Sequence, residues 1–235
     1  MKNKTVLYRN ILFFCVSVFI LSLTGCRNVK TVQKEEFYIE EISEELFEKM
    51  KGKSFSDDCI VAREDLRCVH VMHNNFEGMP QAGEIVCNRV IAQDLLEIFK
   101  ELYDEGYQID QIRLMDEYEG DEERATKDDN TFCFNFSFIP DTMKATTHGL
   151  GVAVDLNSLY NPYVKEENWK TIVKPATAVK YIKRSKNFQH KIDETDLCYK
   201  LFIEHGFEWG GSWKDHQEYM HFELPASKIQ EFGLQ

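Results

Sequence analysis

The chain has no apolar run long enough to cross a bilayer. Its N-terminal run, Ile11 to Leu23, covers 13 residues, where a membrane-spanning helix needs about 20. Acidic residues are missing from the first 26 positions, and all 40 of them follow. There is no basic excess either: beyond position 26 stand 25 Lys and Arg, a formal net charge of −15 for that part. This excludes the basic footprint that nucleic acid demands and electrostatic adhesion to anionic lipid. No two cysteines are spaced as a zinc knuckle, and there are no internal repeats or low-complexity tracts.

What the N-terminus does have is a targeting pattern. Lys2, Lys4 and Arg9 precede the apolar run, which closes on Leu23-Thr24-Gly25-Cys26. A basic region, a short apolar region and small residues make a secretory signal. With cysteine directly after the small residues, the pattern is similar to a bacterial lipobox. The expected organisation is a lipoprotein signal peptide at 1–25, a tether at 26–37 lipidated on Cys26, and one domain at 38–235. The expected location is the cell envelope, on the extracytoplasmic face of a membrane, held by the acyl chain. Of the remaining cysteines, Cys59, Cys68, Cys87, Cys133 and Cys198, an odd number leaves at least one thiol free unless chains pair.

Periodicity gives the elements. Ile42, Leu46 and Met50 recur at helical spacing before Gly52. Val69 and Val71 alternate with His70 as in a strand. Val90, Ile91, Leu95, Ile98, Phe99 and Leu102 predict a helix from about Cys87 to Glu105, stopped by Gly106. Ile112 and Leu114 suggest a strand leading to Asp116, the charged stretch 117–130 an exposed loop, and Phe132, Phe134 and Phe136 a strand with one aromatic face. Val152, Val154 and Leu156 form an apolar face opposite Ala153, Asp155 and Asn157. Leu197, Leu201 and Phe202 mark a second helix, stopped by Gly206, and a last strand runs from about Tyr219 to Leu224. Short strands among two main helices predict an α+β domain around a small, mostly antiparallel sheet with flanking helices.

Two segments carry the chemistry. Thr146-Thr147-His148-Gly149-Leu150-Gly151-Val152-Ala153-Val154-Asp155 offers a histidine and an aspartate, and Trp209 to Glu223 includes Glu218 and His221. Two histidines and one aspartate, with a glutamate to spare, match the stoichiometry of a catalytic zinc site. Asp155 projects from the side of its strand opposite the apolar face. His148 lies an odd number of residues away, but Gly149 and Gly151 permit a turn that returns its imidazole over Asp155. Glu218, three residues before His221, is expected in the loop just before the strand, beside the metal rather than on it. Among the other histidines, His216 is the best rival ligand, and His205 is explained by a helix C-terminus. Taken alone, either segment has an ordinary reading, with Trp209 and Trp213 as core aromatics and Gly210-Gly211 as a plain turn.

Together the segments resemble the motifs of the VanY-like zinc peptidases, the D-alanyl-D-alanine carboxypeptidase and L-alanyl-D-glutamate endopeptidase family. The first motif, Ser-x-His-x-x-Gly-x-Ala-x-Asp, is occupied by Thr146, His148, Gly151, Ala153 and Asp155, with threonine for serine. The second, an acid three residues before a histidine and an aromatic, is Glu218, His221 and Phe222. Flanking Asn157 to Tyr163 and Gly206 to Gly211 are similar too. The resemblance covers roughly residues 50 to 225. It implies a Hedgehog/DD-peptidase-like fold and zinc on His148, Asp155 and His221. It also implies Glu218 as the general base and the peptide stems of peptidoglycan as substrate. Thr146, Ser137, Asn157 and Trp209 are candidates for supporting the ligands or lining the substrate cleft. In one respect the chain departs from the pattern: relatives often carry arginine after Phe-Asn-Phe, and here Phe134-Asn135-Phe136 is followed by Ser137. Arg113 and Arg124 are possible substitutes. The alternative is therefore a catalytically weak or inactive lipoprotein that binds wall peptides.

Overall fold

The protein is described here by a computed structural model covering residues 36–234. The expected signal peptide, the expected lipidation at Cys26 and all but the end of the expected tether lie outside the described residues.

The described chain is a mixed α/β unit built from small, mostly antiparallel sheets and five short helices. It opens with strand β1 (Tyr38–Glu41) and helix α1 (Glu44–Met50), capped by Ser43, whose Oγ accepts from the Leu46 amide. Strands β2 (Leu66–Asn74) and β3 (Pro80–Asn88) complete a three-stranded antiparallel sheet in the order β1-β2-β3. Helix α2 (Ala92–Asp104) lies against it. Its Leu95, Ile98, Phe99 and Leu102 share one core with Val69, Val71 and Ile85. Each such side chain contributes roughly 1.5–3 kcal/mol by leaving water.

Strand β4 (Gln111–Ile112) pairs in parallel with β5 (Asn130–Thr131), and helix α3 (Glu122–Lys127) lies between them in sequence. Strand β6 (Ala153–Asp155) follows, then the hairpin of β7 (Tyr163–Glu167) and β8 (Lys170–Lys174). Helix α4 (Leu197–Glu204) is capped by Asp196, which also accepts from the Tyr107 hydroxyl at 3.0 Å, so the exit of α2 is tied to the start of α4. Both helices stop at glycines with left-handed backbones, Gly106 and Gly206. The C-terminal strands are β9 (Glu208–Trp209), β10 (Gln217–Glu218) and β11 (His221–Glu223), before helix α5 (Ala226–Glu231). They form two sheets, β6-β11-β9 and β10-β7-β8. Phe202 of α4 stacks on Phe222 of β11 at 4.4 Å between ring centres, which seats β11 on the core.

Several expectations change. Among the described residues there are four small sheets rather than one. The helix begins at Ala92, not Cys87. Residues up to Asn88 belong to β3, whose consecutive buried Ile85, Val86 and Cys87 hide the alternation of a strand. The charged stretch 117–130 is not an exposed loop but contains α3. Asp121 caps it, accepting from the Arg124 amide, and Ala125 packs with Met115, Tyr118 and Phe132 while the charges face water. Leu114 lies beyond the short β4. Residues 132–136 form no regular ladder, because their amides reach four separate carbonyls: Asp155, Val86, His148 and Ser54. Cys133 and Asn135 are buried as well as the three phenylalanines, so there is no single aromatic face. All five cysteines of the described residues are free.

Candidate metal centre

His148 sits on a tight turn. The Leu150 amide donates to the Thr146 carbonyl, the Gly151 amide to that of His148, and the Val152 amide to that of Thr147. Gly151 has φ +71°, and a Cβ there would come within 2.8 Å of the Asn88 nitrogen, so only glycine fits the turn that swings the imidazole back. Asp155 stands on β6 directly opposite His221 on β11. The three side chains converge: His148 Nε2 is 3.2 Å from Asp155 Oδ1 and 3.2 Å from His221 Nδ1, and His221 Nδ1 is 2.9 Å from Asp155 Oδ1. All three are buried.

The outer nitrogens of both rings are already engaged. His148 Nδ1 lies 2.7 Å from the Cys133 carbonyl, and His221 Nε2 lies 3.1 Å from Glu223 Oε2. A carbonyl or carboxylate oxygen accepts, so those outer nitrogens donate and leave the inner nitrogens converging on one point, where a bound cation would take the place of any proton they hold. Two imidazoles and a carboxylate aimed together fit a zinc ion with one position left open. Phe132 stacks on His148 and Trp213 packs against His221, walling the rings.

The electrostatics agree. Burial opposes ionisation of Asp155, but the charges and hydrogen bonds of His148 and His221 outweigh it and hold the carboxyl well below the usual range. Burial likewise disfavours a charged His221, yet the hydrogen bonds to Asp155 and Glu223 push it up to about 10. The pocket is thus a preformed seat for positive charge.

Glu218 occupies β10, opposite Tyr163 of β7, rather than the loop expected for it. Its Oε2 lies 3.8 Å from His221 Nδ1 and its Oε1 3.3 Å from His216 Nε2. Burial raises its pKa above the ordinary carboxylate value, against the pull of His221. His216, the rival ligand, stands on Glu218 and outside the cluster of three.

The other sequence candidates divide. Ser137 and Thr146 meet, hydroxyl to hydroxyl at 3.0 Å, and the Thr146 hydroxyl accepts from the Gly149 amide, bracing the turn of His148. Asn157 does not contact the ligands: its side chain accepts from the Asp110 amide and donates to the Gln108 carbonyl. Trp209 is buried, donating through Nε1 to the Tyr219 carbonyl. Arg113 is drawn to Glu117 and Arg124 to the Tyr118 carbonyl, so neither takes the place of the arginine missing at 137. Two functional contacts escaped sequence reasoning. Glu223 had a usable signal, since residues two apart on a strand share a face and it stands two after His221. The Cys133 carbonyl had none.

Two buried imidazoles and one carboxylate converging beside a glutamate form a candidate metal-binding group of the composition that mononuclear hydrolytic centres use. Comparison with protein families agrees: residues 141–224 match the family described as D-alanyl-D-alanine carboxypeptidase, a peptidase family. The match spans His148, Asp155, Glu218 and His221, and shows the resemblance read in the sequence for this segment. No curated protein and no solved structure gave a significant match.

Proposed function

We propose that this protein is a zinc-dependent peptidase with a Hedgehog/DD-peptidase-like fold that hydrolyses peptidoglycan stem peptides, as a D-alanyl-D-alanine carboxypeptidase or an L-alanyl-D-glutamate endopeptidase. The observation that carries this reading is the convergence of His148, Asp155 and His221 with Glu218 3.8 Å away but outside the cluster. Bound on the three ligands, zinc supplies Lewis-acid chemistry, polarising a peptide carbonyl and acidifying water. Glu218 takes the proton of the attacking water and hands it to the leaving amine. Burial raises its pKa above the ordinary carboxylate value, the direction that favours a carboxylate that both takes and returns a proton. Glu223 and the Cys133 carbonyl hold the two imidazoles in the tautomers that face inward. Lipidation of Cys26 would keep the domain on the extracytoplasmic face of a membrane, beside the wall polymer; loss of fatty-acid labelling in Cys26→Ala tests that part.

The decisive experiment is mass spectrometry of defined muropeptides incubated with the zinc-loaded full-length chain, with Glu218→Ala as control. A product absent from the control is expected, and its mass names the bond cut. No product from any stem peptide, or the same product from the control, overturns the reading. One observation favours a second reading, a wall-peptide-binding lipoprotein without turnover: Ser137 replaces an arginine, and neither Arg113 nor Arg124 reaches the cluster. Affinity for stem peptides with no cleavage would support it.

A further inference from the structure

A second group of metal-binding side chains lies on the β1-β2-β3 sheet, outside the segment that holds His148, Asp155 and His221. The strand register builds it. Glu40 of β1 is the partner of Cys68 on β2, Tyr38 is the partner of His70, and His70 is in turn the partner of Glu84 on β3. Cys68 and His70 are two apart on one strand and share a face, so three strands bring Glu40, Cys68, His70 and Glu84 side by side. One ligand atom each from Glu40, Cys68 and His70 lies within 4.8 Å of the others.

Three neighbours flank the half-buried ring of His70. Tyr38 stacks on it, with ring centres 4.1 Å apart and planes 9° from parallel. Its Nδ1 lies 3.3 Å from Glu84 Oε1 and its Nε2 2.9 Å from Glu40 Oε1. Nε2 is hydrogen-bonded to Glu40, and a metal ion between them would take the place of that hydrogen, with Nδ1 turned to Glu84 and Cys68 completing the group. This repeats the arrangement of His221, whose outer nitrogen is engaged by Glu223 while the inner one faces its neighbours.

We propose that Glu40, Cys68 and His70 form a second site for a divalent transition-metal ion of the zinc type, with Glu84 orienting the imidazole. The donor set decides the class of ion. A thiolate and an imidazole favour zinc and its substitutes, whereas calcium and magnesium take oxygen ligands. Cys68 is buried. A cysteine binds such an ion as thiolate, so metal uptake at this site releases the thiol proton to solvent. Three protein ligands leave a fourth position for water. This inference does not depend on the peptidase reading.

Cobalt(II) in place of zinc tests it on the full-length chain with thiols kept reduced. The centre of His148, Asp155 and His221 contains no sulfur, so near-ultraviolet thiolate-to-cobalt charge-transfer absorption reports the second site alone. Expected are two cobalt ions per chain with that band present. Cys68→Ser should lose the band and one ion. His221→Ala should keep the band while losing the other ion. Glu84→Gln should weaken cobalt at the second site by about 10–100-fold. If Cys68→Ser fails to fold by circular dichroism, His70→Gln carries the same expectation. One ion per chain and no thiolate band in the unaltered protein, or a band that survives Cys68→Ser or its substitute, overturns the proposal.

Discussion

Asp155 and His221 are register partners on neighbouring antiparallel strands, and that pairing brings their side chains to 2.9 Å. Two of the three candidate ligands are thus placed by backbone hydrogen bonds of a ladder rather than by a loop. A site built on strands holds its geometry better than one built on mobile segments.

The carboxylate of Glu223 should matter nearly as much to metal affinity as a ligand does. It engages the outer nitrogen of His221 and also interacts with Thr147. Glu223→Gln is expected to lower zinc affinity by about 10–100-fold with the fold intact. Competition against a chelator of known affinity measures it, and an unchanged affinity would show that the imidazole needs no such partner.

Glu218→Gln should separate chemistry from binding. The amide keeps the size of the side chain but cannot take a proton. Activity on stem peptides is expected to fall by about 10²–10⁴-fold, while zinc remains stoichiometric by elemental analysis. Loss of zinc in this variant would instead make Glu218 a ligand.

Gly210 is more than part of a turn. A Cβ built on it would lie 2.9 Å from Glu218 Cβ and 3.3 Å from His221 Cβ. Gly210→Ala should therefore displace the base, and displacements near 1 Å at a catalytic group cost on the order of 10²-fold in rate. Zinc affinity should fall less, since the closest clashes, at 2.9 Å, are with Glu218, while His221 Cβ meets the methyl at 3.3 Å. Steady-state kinetics beside a zinc titration would show whether the two effects separate.

Asp129 predicts an unusual pH dependence of stability. It is 2% exposed, its Oδ2 has no hydrogen-bond partner, and its Oδ1 accepts from the Leu159 amide at 2.6 Å. Burial pushes its pKa from 3.8 up to about 7, with the Leu159 amide only partly opposing. Between those values the folded state holds a proton that the unfolded state has lost, so this group's contribution to stability falls as pH rises from about 4 to 7 and is flat above. The full effect is on the order of 4 kcal/mol. Asp129→Asn should flatten that part of the curve. Urea unfolding of both proteins across pH 4–8 checks it, and parallel curves would refute it.

The sequence made the site far more legible than the frame around it. His148, Asp155, Glu218 and His221 stand in short motifs whose spacing is dictated by one turn and one strand, and local spacing is what a sequence displays. Helices α2 and α4 were visible because each buries a single periodic stripe and stops at a glycine. Strand β3 was hidden because Ile85, Val86 and Cys87 are buried in succession, which no period-2 pattern describes. Helix α3 was hidden because only Ala125 of it is buried and charge filled the rest. Residues 132–136 defeat any local rule, since their partners lie in three other parts of the chain. The outer hydrogen bond of His148 is of the same kind: it goes to a carbonyl, which every residue carries.

Asp155 and His221 are 66 residues apart in the chain. An ion gripping both is a reversible clasp that closes a long ring of polypeptide, and such clasps act on the unfolded ensemble by restricting it, as cross-links do. A protein whose five described thiols are all free would draw from zinc the tethering that disulfides give other chains. Its resistance to unfolding would then follow metal supply rather than redox state.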